Sequence, residues 1–268
     1  MQSGLMKLFY QSEKGSTKWE KYFPIYEQLL SKYKNKAITF VEIGVLNGGS
    51  LDIWKKFFGE NSRIIGIDKN PECKKFQNKN FEIFIGSQSD PDFWRSFYQK
   101  VGNVDVILDD GGHTNNQQVI SLVESLKYIN DDGIYITEDV HTSYLKRYGN
   151  PNKYSFINFS KKCIDDINCT FPKPGKFDYS INKIVYAMEY FESIVTFKVN
   201  RNLCNINKLV VNKGTDHEIV DVAYIEDYFN FQNKYPSLYK FKFVRNILRL
   251  ISRNLIRLKS NSLKDYFH

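Results

Sequence analysis

The run Val104-Asp105-Val106-Ile107-Leu108-Asp109-Asp110-Gly111-Gly112-His113 joins two kinds of sequence. Its first half is short, β-branched and almost continuously apolar, the pattern of a strand buried on both faces of a parallel sheet. Its second half puts two carboxylates, two glycines and an imidazole at that strand's carboxyl end, the edge where open α/β sheets bind ligands. Taken alone, the run reads equally well as a strand followed by a polar turn, with His113 capping the next helix. Two neighbouring strands that also end in acids weigh against that plainer account.

Upstream, Thr39–Ile43 reads as a first buried strand, Gly44-Val45-Leu46-Asn47-Gly48-Gly49-Ser50 as a glycine-rich turn, and Leu51–Phe58 as the helix behind it. Glycines there let the backbone approach a ligand, and the helix start offers unpaired N–H groups. The spacing is not G-x-G-x-x-G, so a nicotinamide-dependent oxidoreductase is a poor match. Arg63–Asp68 is the second strand, and Asp68 stands at a spacing suited to ribose hydroxyls. Phe81–Ile85 is the third, followed by Gly86-Ser87-Gln88-Ser89-Asp90, where Ser89 or Asp90 can cap a helix through Phe93, Trp94 and Phe97.

Downstream, a helix over 115–128 leads to a strand at 133–137 that ends in Glu138-Asp139. Strand and helix alternating in this way predict an α/β chain with a doubly wound, Rossmann-like parallel sheet. A turn-like Lys14-Gly15-Ser16-Thr17 followed by a helix through Trp19 to Leu30, with Pro24 interrupting it or marking a new start, a long loop at 140–153, helices at 154–169 and 179–190, a loop at 172–178 and a closing strand pair at 193–199 and 208–211 complete the reading. Seven strands result.

The four cysteines, Cys73, Cys163, Cys169 and Cys204, show no C-x-x-C pair or metal spacing, and read as reduced thiols. No signal peptide and no window long enough to span a membrane is visible, so a cytoplasmic location is expected. The net charge of +8 is carried wholly from Lys234 onward, where nine basic residues face Asp265 alone. Residues 1–233 are then formally neutral, which argues against a nucleic-acid face on the main body. Over 238–258, Phe241, Phe243, Val244, Ile247, Leu248, Leu250, Ile251, Leu255 and Leu258 share one half of a helix and Lys242, Arg245, Arg249, Arg253 and Arg257 the other, with Ile256 the exception. The tail, 234–268, is therefore set apart from a domain at 1–233. It suits packing on its own domain, a homo-oligomer interface, or peripheral contact with an anionic membrane face.

The order Glu42-x-Gly44-x-x-x-Gly48-Gly49-Ser50, Asp68, Gly86-Ser87-Gln88-Ser89-Asp90, Asp109-Asp110-Gly-Gly-His113 and Glu138-Asp139 resembles the class I S-adenosylmethionine-dependent methyltransferases. It looks most like their metal-dependent members that methylate macrolide deoxysugars. The resemblance spans roughly 12–212, with Glu13-Lys14-Gly15, Tyr22 and Tyr26 similar to a degenerate Asp-Lys-Gly segment of that family. It implies that Gly44, Gly48 and Gly49, with Ser50, lie under the methionine part of S-adenosylmethionine, that Asp68 holds the ribose, and that Ser87 and Gln88 lie beside the adenine, with Asp109 close by. It further implies that Asp110 and Asp139 bind a Mg²⁺-like ion, with Glu42 a third ligand or a cofactor contact only, and that His113 is the general base.

The chain departs from the family at Lys18 and Trp19, where the relatives commonly carry a His-aromatic pair. The chemistry is consistent with these roles: a sugar hydroxyl is a poor nucleophile near neutral pH and needs a base, a Lewis acid, or both. The expected activity is O-methylation of a sugar, sugar nucleotide or glycan. A small secondary metabolite or nucleic acid as acceptor, or a cofactor-binding protein without catalysis, are the alternatives.

Overall fold

The computed structural model describes residues 4–168, 180–205, 208, 210, 212 and 234–266. It divides into two units, Met1–Lys208 and Leu209–His268. The boundary expected at residue 233 lies outside the described residues.

In the first unit β1 (Thr39–Ile43), β2 (Arg63–Asp68), β3 (Phe81–Ile85), β4 (Val104–Asp109), β5 (Ile129–Thr137), β6 (Val185–Phe191) and β7 (Ile194–Val199) form one sheet in the order β3-β2-β1-β4-β5-β7-β6. The first five strands are parallel, and the β6–β7 hairpin closes the edge with β7 antiparallel to β5. Among the described residues six α-helices flank it: α1 (Gly4–Tyr10), α2 (Tyr22–Leu30), α3 (Gly49–Phe58), α4 (Pro91–Val101), α5 (Asn115–Ser125) and α6 (Phe156–Asn168).

Because strand side chains alternate between faces, each inner strand needs apolar residues at every position. One face gathers Phe40, Ile64, Val106, Leu108, Ile134 and Ile136 against Tyr26, Leu30, Trp54 and Phe58. The other gathers Val41, Ile65, Ile107, Tyr135 and Phe197 against Trp94, Phe97, Leu122 and Phe156. The register then aligns the strand ends. Ile43 pairs with both Ile67 and Asp109, and Asp109 pairs with Thr137, so Gly44, Asp68, Asp110 and Glu138 follow side by side at one edge.

Three sequence expectations are corrected. The helix expected at 179–190 is in its second half the strand β6. Ala187, Met188 and Glu189 favour a helix by propensity, but Val185 is buried and Tyr186 exposed, and a tight turn at Glu192-Ser193, with Ser193 at φ +67°, pairs Phe191 with Ile194. The partner of β7 is consequently β6 and not 208–211, where Lys208 and Val210 are outside any strand and positions 209 and 211 lie outside the described residues. The N-terminal helix begins at Tyr22 and not by Trp19, so Pro24 stands in its first turn, where a missing N–H costs nothing, the new start that its position allowed. The turn-like 14–17 stretch continues to residue 20 as irregular chain across the carboxyl edge of the sheet.

Cys73 and Cys163 are buried free thiols and Cys204 a half-buried one; Cys169 and the loop expected at 172–178 fall outside the described residues. In the second unit a short helix, Pro236–Tyr239, precedes the helix Lys242–Ser260. Among the described residues no helix is long and apolar enough to cross a membrane.

Candidate active site

The carboxyl edge of the sheet opens into a cavity of about 660 Å³, whose wall includes Gly44, Leu46, Asp68, Ser87, Gln88, Asp110, His113, Glu138 and Asp139. Gly44 is required at the turn. It sits at φ +98°, and a Cβ there would lie 2.1 Å from the carbonyl oxygen of Asp110. Leu46, His113 and Asp139 also have positive φ, at 44°, 56° and 54°. Non-glycine residues in that region are uncommon and mildly strained, and such strain collects at functional sites. Three of them share one cavity wall.

Asp68 fixes the glycine turn. Its Oδ2 accepts hydrogen bonds from the backbone N–H of Val45 and Leu46 at 2.9 and 3.1 Å, and its Oδ1 accepts that of Asn70 at 2.9 Å. Partial burial raises its pKa, but the three backbone donors outweigh this and hold it below the usual carboxylate range. Gln88 lies across the cavity floor. Its Nε2 donates to Asp109 Oδ1 at 2.9 Å and its Oε1 accepts the N–H of Gly112 at 2.8 Å. Asp109 points away from the cavity and is buried. Ser121 and Tyr135 donate to its other oxygen, and burial pushes its pKa up. It ties β4 to α5 and β5.

The next residues converge. His113 Nε2 lies 3.7 Å from Asp110 Oδ1 and 3.6 Å from Asp139 Oδ2. Helix capping is left to Thr114, whose hydroxyl accepts the Gln117 N–H in a capping box, while Thr142 Oγ1 donates to the His113 carbonyl at 2.9 Å. Each carboxylate is anchored through its outer oxygen. Lys18 Nζ donates to Asp110 Oδ2 at 2.5 Å; Tyr22 Oη and Trp19 Nε1 donate to Asp139 Oδ1 at 2.6 and 3.1 Å. The inner oxygens are left facing the imidazole.

One donor atom from each of Asp110, His113 and Asp139 lies within 4.8 Å of the others. The two carboxylate oxygens are hard donors suited to a Mg²⁺-like ion, and the imidazole nitrogen stands beside them. His113 Nδ1 is buried without a partner, which leaves Nε2 as the nitrogen that faces the cavity.

Glu42 is not part of this group. It is fully buried, with Ser50 donating to its Oε2 at 2.6 Å and Trp54 to its Oε1 at 3.0 Å, and burial raises its pKa to about 7 despite the nearby charge of Lys18. Ser50 is thereby turned away from the cavity as well. Gly48 and Gly49 form the turn behind Gly44. A Cβ on Gly49 would lie 2.5 Å from the Gly15 carbonyl oxygen, so this glycine lets the 14–18 segment pack against the start of α3.

The sequence reading did not foresee Glu138, Lys18 or Tyr26 in these positions. Glu138 is 1% exposed and accepts from Tyr26 Oη at 2.5 Å. Burial and the neighbouring Asp110 push its pKa up, against the opposing pull of Lys18. The signal was present in the acid pair at the end of β5 and in the aromatic spacing of Tyr22 and Tyr26, one turn apart.

No family model matches the chain. In the comparison with solved structures, MycE methyltransferase from the mycinamycin biosynthetic pathway, in complex with Mg and SAH, superposes with a TM-score of 0.67 over 87% of this chain and 60% of its own, at 21% identity. A second crystal form gives 0.64 over 75% and 56%, at 22% identity. The chain has the class I methyltransferase fold.

Curated relatives carry the resemblance further. The 8-demethyl-8-alpha-L-rhamnosyl tetracenomycin-C 2'-O-methyltransferase of Streptomyces olivaceus is 28% identical over 166 residues, 58% of this chain and 43% of that protein. The L-olivosyl-oleandolide 3-O-methyltransferase of Streptomyces antibioticus is 29% identical over 155 residues, 55% of this chain and 39% of its own. The chain thus spans less than half the length of these relatives. Within this methyltransferase fold, the Gly44 turn and Asp68 stand at the ends of β1 and β2, and Asp110 and Asp139 at the ends of β4 and β5.

Proposed function

We propose that this chain transfers the methyl group of S-adenosylmethionine to a hydroxyl of a sugar, sugar nucleotide or glycan. The observation that carries this reading is the placing of Asp110 Oδ1 and Asp139 Oδ2 around His113 Nε2, in the same cavity as the Gly44 turn and Asp68. Its relatives named for transfer to sugar hydroxyls support the acceptor class.

In this reading the glycine turn, Asp68, Ser87 and Gln88 receive the methionine, ribose and adenine parts of the cofactor. Asp110 and Asp139 hold a Mg²⁺-like ion, which when bound acts as a Lewis acid on the acceptor hydroxyl. His113 Nε2 takes the hydroxyl proton as the oxygen attacks the sulfonium methyl carbon. The carbon–sulfur bond breaks, its electron pair stays on sulfur, and S-adenosylhomocysteine results. A second cavity of about 430 Å³, lined by Trp19, Lys21, Tyr22, His141, Glu192 and Ser193, shares Trp19 and Tyr22, the two residues that hold Asp139, with the first. Trp19 is 60% exposed there and offers an aromatic face to a pyranose ring. The acceptor approaches from that side.

Mass spectrometry of a sugar-nucleotide and glycoside library incubated with S-adenosylmethionine and Mg²⁺ tests the reading. A methyl mass gain, lost with EDTA, is expected. Binding of S-adenosylhomocysteine without any transfer would point to a non-catalytic cofactor-binding protein.

A second reading concerns location. The helix Lys242–Ser260 carries Phe243, Ile247, Leu250, Ile251 and Leu258 as exposed apolar residues among basic ones in sequence, which supports contact between this tail and an anionic membrane face.

A further inference from the structure

Lys18 is the residue that the proposed chemistry leaves without a role. Its side chain is 6% exposed, and Nζ makes three charge-assisted contacts: Asp110 Oδ2 at 2.5 Å, Glu138 Oε2 at 2.9 Å and Glu138 Oε1 at 3.1 Å. An ammonium has three N–H donors, so all three have an acceptor. Glu138 Oε1 is also held by Tyr26 Oη at 2.5 Å, and the Glu138 side chain is 1% exposed. The segment that delivers Lys18 is fixed in turn. The carbonyls of Lys14 and Gly15 lie so close to Gly49 that a Cβ there would come within 2.8 and 2.5 Å of them.

We infer that the Lys18 ammonium is a resident cation of this site: it competes with the divalent ion for Asp110 and keeps Glu138 out of the ion's coordination. The inference rests on the reading that Asp110 and Asp139 bind a divalent cation. Three carboxylates, Asp110, Glu138 and Asp139, stand at the ends of β4 and β5. An isolated divalent ion facing all three would gain from every one of them. Here one unit of positive charge is already in place, almost wholly shielded from solvent, and it takes both oxygens of Glu138 and the outer oxygen of Asp110. What remains for the ion is Asp110 Oδ1 and Asp139 Oδ2, the two oxygens that face His113. The resident ammonium weakens the ion's binding twice, by repulsion across a low-dielectric site and by withholding a ligand. A neutral residue at position 18 would release both constraints.

Mn²⁺ binding, read from the loss of the free-ion EPR signal, tests this on the full chain and needs no turnover. Lys18→Met and Lys18→Gln are compared with the unaltered protein, each also in a Glu138→Gln background, with folding checked by circular dichroism. Lys18→Gln keeps hydrogen-bonding capacity where Met does not, so it serves if the Met variant fails to fold. Removing the ammonium is expected to tighten Mn²⁺ by about tenfold or more, and in the Glu138→Gln background by less than about threefold, because the ligand set free is then missing. Unchanged or weaker Mn²⁺ binding in the Lys18 variants would overturn the inference, as would an equal gain with and without Glu138, which would mark a distant charge effect. Absence of Mn²⁺ binding from every form, Lys18 variants included, would defeat the divalent-ion reading itself. Binding that ignores Lys18 defeats this inference alone.

Discussion

Tyr22 and Asp139 hold each other in place: the phenol donates to Asp139 Oδ1 at 2.6 Å and accepts the Asp139 backbone N–H at 3.3 Å. Burial, followed by the bond to Asp139, pushes the phenol's pKa far up, so Tyr22 is a donor at any working pH. The strained backbone of Asp139, at φ +54°, is thereby matched by a side chain reaching from α2, and Oδ2 is aimed at His113. Tyr22→Phe keeps the ring and removes both bonds. Divalent-ion affinity is expected to fall by about 10-fold, the lower end of what an orienting partner contributes, with S-adenosylhomocysteine affinity unchanged. Parallel titrations with Mn²⁺ and with the nucleoside check it; equal losses in both would show that Tyr22 supports the whole edge and not this one carboxylate.

His113→Ala separates chemistry from binding. The imidazole faces the Asp110 and Asp139 carboxylates, so its removal should lower the single-turnover rate by roughly 100- to 10,000-fold. Cofactor affinity, measured by calorimetry, should stay within about threefold. Lost cofactor binding with a normal rate at saturation would make His113 structural.

Much of this arrangement could be read before the structure, and the reason is physical. The buried strands β1, β2 and β4 and the second half of β5 are encoded by near-continuous apolar runs, and the acid or glycine that ends each one marks the carboxyl edge. Asp68, Asp110 and Asp139 were legible because they stand at those ends. Glu42 was legible as an acid near the site but not as a buried one: in a doubly wound sheet alternate residues face opposite sides, and this carboxylate is turned into α3, toward Ser50 and Trp54. Strand β6 was hidden because an edge strand has one solvated face, and Ala187-Met188-Glu189 satisfies a helical pattern as readily. Lys18 and Glu138 were hidden for another reason. They are 120 positions apart in sequence, and no local pattern announces a pair that only the crossing of the 14–20 segment brings together.

Glu42 gives a pH-dependent stability. Its pKa is about 7 in the folded chain, raised by burial from an ordinary 4.5, so between those values the folded state binds more protons than the unfolded one. Stability contributed by the protonated form is full below about pH 4.5 and is lost as pH rises toward 7 and beyond. Glu42→Gln lacks this loss. Its stability relative to the unaltered chain should rise by roughly 2 to 3 kcal/mol from pH 5 to pH 8, as read from urea unfolding at both values. Parallel behaviour across that range would show that Glu42 stays ionised in the fold.

The tail supplies the last test. Helix Lys242–Ser260 leaves Phe243 and Leu250 well exposed, at 73% and 58%, while the basic excess of the whole chain lies from Lys234 onward. An apolar face inserted at the acyl boundary contributes in proportion to its buried area. Each basic residue near anionic headgroups adds about 1 kcal/mol, a part that salt removes. The full chain is therefore expected to co-sediment with vesicles containing anionic lipid and not with neutral ones, to be released by raised salt, and to lose all binding on truncation after Ser237. The control is methyl transfer in the truncated form: if it folds and turns over normally while vesicle binding is gone, the helix serves location. If it is insoluble, and the full chain ignores both kinds of vesicle, the apolar face belongs to a protein interface, either with the methyltransferase unit or with a second copy.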